Sequence, residues 1–211
     1  MHLAQHHNPM EMFASTVEYH GDKKLTIYDK TQGAFNSQQY VMKVFGLNKD
    51  EARVISKYTG GGFGSGLRPQ YQLFMAVLAS LELKRSVRVS MTRQQMFSFG
   101  HRPHTLQYME LGTNPDGTLA ALHHHALHET SQFEDYTENV VNWSGMLYQC
   151  DNVKLTYQLA KVDVYTPQDM RAPGPPPARL PWSAPWTKWP TKPASTRWSF
   201  ACVTTPSATR T

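Results

Sequence analysis

Gly60-Gly61-Gly62-Phe63-Gly64-Ser65-Gly66 stands between two segments of different hydrophobic period. Arg53-Val54-Ile55-Ser56-Lys57-Tyr58 before it is β-branched and alternating, and reads as a strand. Pro69 to Leu83 after it is rich in helix formers, with a proline near the first turn, and reads as a helix. A glycine run at such a passage lets backbone amides come close to a ligand. The following helix N-terminus adds partial positive charge, so the loop suits an anionic cofactor. A flexible connector is the plain alternative. The spacing is neither a dinucleotide fingerprint nor a Walker loop, because Leu67-Arg68-Pro69 stands where Lys-Ser/Thr would follow. Flexibility alone does not call for Phe63, whereas a ring packed over a reactive centre does.

Outward from the loop, strand-like and helix-like segments interleave. Ala14–Tyr19 and Lys24–Tyr28 read as a hairpin around Gly21-Asp22, and Gln38–Phe45 as a helix. Thr105–Gly112 and Thr118–His124 flank Asn114-Pro115-Asp116-Gly117, a strong turn signal, and Val153–Val164 is a further strand candidate. The fold class expected is mixed α and β (α+β), as one large domain or two small ones.

No apolar run is long enough to span a bilayer, and Met1-His2-Leu3-Ala4-Gln5 lacks the basic and apolar regions of a signal peptide. A soluble protein is expected, cytoplasmic or periplasmic. Cys150 and Cys202 cannot build a disulfide framework and read as reduced thiols. His123, His124, His125 and His128 invite a metal reading. Alternation puts His123 and His125 on one face and His124 on the other, with no third ligand at a familiar zinc spacing. They are expected at the surface or at strand ends, with no metal held by protein side chains.

The net charge of +5 is unevenly placed. All 16 acids lie within Met1–Gly174, together with 16 of the 21 basic residues. The excess is Arg179, Lys188, Lys192, Arg197 and Arg210, in a tail that also holds four of the five tryptophans and eight of the 14 prolines. No period runs through it. A disordered Pro-rich tail is one reading, and a cationic aromatic arm for single-stranded nucleic acid or a protein partner is another.

Several motifs occur together in one order. They are Gln5-His6-His7-Asn8-Pro9-Met10-Glu11, Asp29-Lys30-Thr31-Gln32, Gly60 to Gln70, and Asp169-Met170-Arg171-Ala172-Pro173-Gly174. With them the chain resembles the molybdenum-binding (molybdopterin) large subunit of the xanthine dehydrogenase/aldehyde oxidoreductase family. Phe133-Glu134-Asp135-Tyr136 and Asn142-Trp143-Ser144-Gly145 resemble its bacterial aldehyde-oxidising branch in particular. The resemblance implies a domain organisation: a fragment of the molybdenum cofactor-binding domain over 1–174, then a basic Pro/Trp-rich tail over 175–211. It implies a cofactor, molybdopterin in its cytosine dinucleotide form. It also implies iron–sulfur and FAD partner subunits, and oxidation of aldehydes or N-heterocycles with water as the oxygen source.

Carried over residue by residue, Gln32 matches the glutamine that hydrogen-bonds near the metal's oxo group, a role that suits a neutral amide donor. Phe63 matches the phenylalanine beside the metal, with Gly61, Gly62 and Gly64 giving backbone access. Arg171 matches the arginine of the second cofactor motif, where a guanidinium can fork onto anionic oxygens. Bland readings stand beside these: a surface glutamine, a core aromatic and a solvated arginine. Gly66 and Leu67 replace the polar and acidic residues of purine-oxidising members, which favours an aldehyde. Met12-Phe13 stands where the family commonly has Pro-His. The general-base glutamate belongs to the family's far C-terminal region, outside these 211 residues. The chain alone is therefore expected to be inactive and not to retain the cofactor.

The tail has a third reading, a frameshift after Gly174. With the frame moved back by one nucleotide, Trp186-Thr187 must give Asp and Trp189-Pro190 must give Ala, because tryptophan has a single codon. One permitted translation from Pro181 onward is LECAMDEMAYETGIDPLEFRVRNYAERD, an acid-bearing amphipathic helix, a break and a second helix. That is what the family carries after its Met-Arg-Ala-Pro-Gly motif. Pro175–Thr211 is then expected to lack a packed core.

Overall fold

A computed structural model of the protein describes residues 3–177 and 198–201. The backbone divides into two compact units, one built on His6–Gly100 with Gln168–Arg171, the other on His101–Pro167 with residues 3–5, 172–177 and 198–201. The elements up to Gly100 are β1 (Gln5–His6), β2 (Ala14–Tyr19), β3 (Leu25–Asp29), α1 (Ala34–Phe45), β4 (Ala52–Ile55), α2 (Tyr71–Leu83), β5 (Val87–Ser90) and α3 (Arg93–Met96). Beyond it come β6 (His101–Arg102), β7 (Thr105–Thr113), β8 (Leu119–Thr130), the 3-10 turn η1 (Val141–Trp143), α4 (Ser144–Leu147), β9 (Val153–Lys161) and β10 (Trp198–Ala201).

In the first unit a four-stranded sheet runs β4-β3-β2-β5. The hairpin β2/β3 pairs antiparallel with Val17 opposite Ile27, both fully buried. Strands β3 and β4 are parallel, so the chain must cross over between them, and α1 is that crossover. Helix α2 lays Leu73, Ala76, Val77 and Ser80 against the sheet at helical spacing. Each fully buried aliphatic side chain of this core contributes about 1.5–3 kcal/mol of hydrophobic stabilisation. Helix α1 begins at Ala34, ahead of the expected Gln38, because Gly33 serves as its N-cap and accepts the Ser37 amide. The exposed Phe35 hides that first turn from a reading by apolar period. Helix α2 begins at Tyr71 with Gln70 as N-cap, so Pro69 lies just outside it.

In the second unit the sheet order is β10-β7-β8-β9. The β7/β8 hairpin turns at Asn114–Gly117, where Asn114 and Gly117 close the turn through backbone bonds and Asp116 accepts the Thr118 amide and hydroxyl. Strand β9 lies parallel to β8 and is reached through η1 and α4. Leu122, His124, Ala126, His128 and Thr130 of β8 form one buried face.

One expectation changes here. His124 and His128 are fully buried rather than superficial, because β8 continues to Thr130 and its even-numbered positions from Leu122 onward face the core. In the tail, Trp198–Ala201 forms an edge strand antiparallel to β7, with Phe200 opposite Met109. An aromatic-rich tetrapeptide suits a strand, and the β7 edge offers unpaired backbone groups to receive it. The rest of the expectation for Pro175–Thr211 beyond Pro177 lies outside the described residues, as does Cys202. Cys150 is a free thiol.

Candidate functional site

The glycine stretch connects β4 to α2, and three consecutive residues after β3 grip it. Lys30 Nζ donates to Ser65 Oγ at 2.9 Å, and Thr31 Oγ1 donates to the Gly66 carbonyl at 3.1 Å. The Gln32 backbone N–H donates to the same Gly66 carbonyl at 2.8 Å. The Gln32 side-chain oxygen accepts from Gly64 N at 3.0 Å and from Gly66 N at 3.1 Å. Ser65 closes a turn onto the Gly62 carbonyl, through its amide at 3.0 Å and its hydroxyl at 2.7 Å. At the loop's entry, Gly60 N donates to Glu11 Oε2 at 2.6 Å.

Two backbone N–H groups converging on one end of an amide can be satisfied only by its oxygen, so the orientation of Gln32 is fixed. That leaves the NH₂ end as the donor of this side chain, on a residue that is itself exposed. The loop therefore works differently from the expectation of open backbone amides. Gly64 and Gly66 use theirs on Gln32, and the start of α2 lies beyond Leu67-Arg68-Pro69-Gln70.

Phe63 sits at the crest with φ +55, a left-handed conformation uncommon for a non-glycine residue, and the residue is 53 % exposed. It is not the core aromatic of the bland reading. Its carbonyl accepts the Arg171 amide at 2.7 Å, and the Arg171 guanidinium lies 6.0 Å from its ring centroid. The glycines on either side are required by close approach. A Cβ on Gly62 would lie 2.4 Å from Gln32 Oε1, and one on Gly64 would lie 2.4 Å from the Asp169 carbonyl oxygen, with φ already +99. Gly61 lies against Met10. Gln32, Gly61, Gly62, Phe63, Gly64 and Arg171 thus meet in one place.

Residues that the sequence reading did not single out hold this arrangement. Arg93 donates through Nη1 to Asn8 Oδ1 at 3.0 Å and to the Pro9 carbonyl, and through Nη2 to the Met10 carbonyl at 2.8 Å. The buried His7 donates Nε2–H to the Asp169 carbonyl at 2.9 Å. Lys30, which reaches the loop at Ser65, and Asp29 before it are both buried. Burial lowers the Lys30 ammonium below the usual lysine range, opposed by the charges of Glu11 and Asp29. Burial raises the Asp29 carboxyl, opposed chiefly by the Ser15 hydroxyl hydrogen bond. The available signal was a lysine and an aspartate next to the inward positions Leu25 and Ile27 of an alternating strand.

In the second unit, two motifs read separately in the sequence come together. The buried Arg102 and Glu138 pair at 3.0 Å, Arg102 Nη1 donates to the Ala172 carbonyl at 3.2 Å, and Gly174 N donates to Glu138 Oε1 at 2.8 Å. Trp143 Nε1 donates to the Pro173 carbonyl at 3.3 Å. His124 lies between Ser144 Oγ at 2.6 Å and Gln107 Oε1 at 3.1 Å, and burial, then the neighbouring histidines, push its pKa down to about 4. His128, beside Thr105, is pushed down to about 4 by burial and then by His125. Among the described residues no group of three or more His, Cys, Asp or Glu side chains is arranged to hold a metal ion.

The family model for the molybdopterin cofactor-binding domain matches residues 2–181. The chain belongs to this family. It is 32 % identical over 172 residues to the aldehyde oxidoreductase molybdenum-binding subunit PaoC of Escherichia coli K12, a match that covers 81 % of this chain and 23 % of PaoC. An indole-3-acetaldehyde oxidase of Zea mays is 29 % identical, over 72 % of this chain and 12 % of its own length. Among solved structures, the aldehyde oxidoreductase of Desulfovibrio gigas superposes with a TM-score of 0.73 at 20 % identity, over 83 % of this chain and 20 % of its own. That likeness shows the fold. The chain spans less than a quarter of the length of these proteins. The family gives no support to the nucleic-acid reading of the tail. No helix among the described residues is long and apolar enough to cross a membrane.

Proposed function

We propose that this chain forms the glycine-loop side of a molybdopterin site in an enzyme that oxidises aldehydes. The carrying observation is the convergence of Gln32, Phe63 and Arg171 on one glycine turn. The donor set fits such a group. An outward neutral amide and a guanidinium beside an exposed ring suit an oxygen-rich, anionic ligand. When bound, the cofactor supplies the two-electron oxidation of a substrate carbon. The chain's own residues orient it: Gln32 presents N–H donors, Arg171 offers a forked cation, and Phe63 covers the centre from the crest of the turn. Gly62 and Gly64 let the backbone lie close enough for this.

The cofactor is the cytosine dinucleotide form, electrons leave through iron–sulfur and FAD subunits, and the general-base glutamate comes from sequence outside these 211 residues. PaoC and its aldehyde-oxidising relatives support an aldehyde over a purine, as do Gly66 and Leu67. The family match ends at residue 181, and the acid-free tail follows. This supports a reading frame displaced after Gly174. Alone, the chain holds cofactor weakly and does not turn over, in the cytoplasm or, with a partner subunit, the periplasm.

Metal analysis of the purified chain by mass spectrometry after gel filtration tests this, beside a version with the frame restored and the family's remaining region supplied. Molybdenum is expected only in the restored protein, and Arg171→Ala should lower its turnover about 10²–10³-fold, the usual cost of removing a preorganised donor. A restored, active enzyme indifferent to Arg171→Ala in both metal content and turnover would reject the site.

A further inference from the structure

The family motif assigns a role to Gln32 but none to Lys30, two positions earlier. Lys30 is only 5 % exposed, and its Nζ rests 2.9 Å from Ser65 Oγ and 4.8 Å over the Phe13 ring centroid. Ser65 is buried too, and its hydroxyl hydrogen goes to the Gly62 carbonyl, so its oxygen is free to receive the ammonium. The charged groups facing Lys30 are Glu11, ahead of β2, and Asp29, at the end of β3. Glu11 also takes the Gly60 amide. The loop is therefore held at both ends by charged side chains, Glu11 at Gly60 and Lys30 at Ser65, with Gly61 to Gly64 between them.

We propose that the Lys30 ammonium is a protonation-dependent latch on the glycine turn, a positioning residue acting through Ser65. Charged, it fixes Ser65 against Gly62 and thereby keeps Gly64 and Gly66 on the Gln32 oxygen. Neutral, it releases the turn, because a hydrogen bond from an ionised donor is roughly twice as strong as a neutral one. Burial brings that release below the ordinary lysine range. The latch matters for the reading of this loop as a cofactor site, since it decides whether the Gln32 amide is aimed, but it is a property of the free chain.

The experiment uses the full chain labelled with ¹³Cα-glycine and ¹³Cε-lysine, followed by NMR from neutral to alkaline pH. The Gly62, Gly64 and Gly66 shifts are expected to move together, with the midpoint of the Lys30 Cε shift and below that of the exposed lysines. In Ser65→Ala, Lys30 should still titrate while the glycines no longer follow it. Lys30→Met should flatten the glycine response altogether; if that variant does not fold, the wild type and Ser65→Ala decide between them. Glycine shifts that stay constant through the Lys30 midpoint, or follow it unchanged in Ser65→Ala, would overturn the latch. Cofactor content is not read in this experiment, so its failure leaves the cofactor assignment to its own test.

Discussion

Gln32 accepts the Gly64 backbone amide on its side-chain oxygen at 3.0 Å, and this single contact sets which end of the glutamine faces outward. It separates two jobs in one side chain, gripping the loop with the oxygen and presenting donors with the nitrogen. Gln32→Glu keeps the acceptor and removes the donors. Gln32→Met removes both. Thermal and urea unfolding should therefore leave Gln32→Glu at or slightly above wild type, while Gln32→Met loses about 0.5–1.5 kcal/mol, the usual net worth of such bonds. Cofactor retention in the restored protein should fall in both. Equal destabilisation by the two substitutions would show that the amide orientation is wrong.

The glycines flanking Phe63 should fail in different ways. A methyl on Gly64 meets the Asp169 backbone carbonyl, which cannot move cheaply, in a backbone conformation that alanine resists. A methyl on Gly62 meets the end of the Gln32 side chain, which can swing aside. Gly64→Ala should cost at least about 1–3 kcal/mol, on the scale of other backbone strain. Gly62→Ala should cost less in urea unfolding while displacing Gln32. A stability loss for Gly62→Ala equal to that for Gly64→Ala would contradict the packing described.

The contrast explains what could be seen from the sequence. The hairpin β2/β3, helix α2 and the Asn114–Gly117 turn were legible because period and turn chemistry are local properties. Gln32, Phe63 and Arg171 were legible only through motifs occurring in order, since nothing local says that residues so far apart in the chain meet. Lys30 was legible only as a member of the Asp29-Lys30-Thr31-Gln32 motif, without a role of its own, and Arg93 was not legible at all. Arg93 grips backbone carbonyls at Pro9 and Met10, and an acceptor that every residue carries leaves no signature in sequence. His124 and His128 were misplaced because strand length, not residue type, decided their burial.

That burial makes stability depend on pH. His124 and His128 have folded pKa values of about 4, below the ordinary 6.5, so the unfolded chain binds more protons between those limits. The contribution of the two histidines should be constant above about pH 6.5 and fall as pH drops toward 4, by roughly 1.4 kcal/mol per pH unit for each. Urea unfolding measured at half-unit steps checks the slope. His124→Gln should remove about one proton's share of it, leaving that of His128. An unchanged slope in that variant would mean that His124 titrates normally.

The Arg102–Glu138 pair offers a sharper test, because burial on both sides makes its two halves interdependent. Glu138→Gln keeps an acceptor for the Gly174 amide but leaves the Arg102 charge without its counter-ion. Arg102→Met leaves the reverse. Each single change should cost about 3–5 kcal/mol, the usual result of stranding one charge of a buried pair. The double substitution strands neither, so it should cost clearly less than the sum of the two. Because Arg102 also holds the Ala172 carbonyl and Glu138 the Gly174 amide, the double variant should still disturb the segment that follows Arg171. A double-mutant cycle by urea unfolding gives the first quantity, and hydrogen exchange at Gly174 gives the second. Additive losses would show two independent side chains. Full protection at Gly174 in the double variant would show that the pair stabilises the sheet without holding the turn.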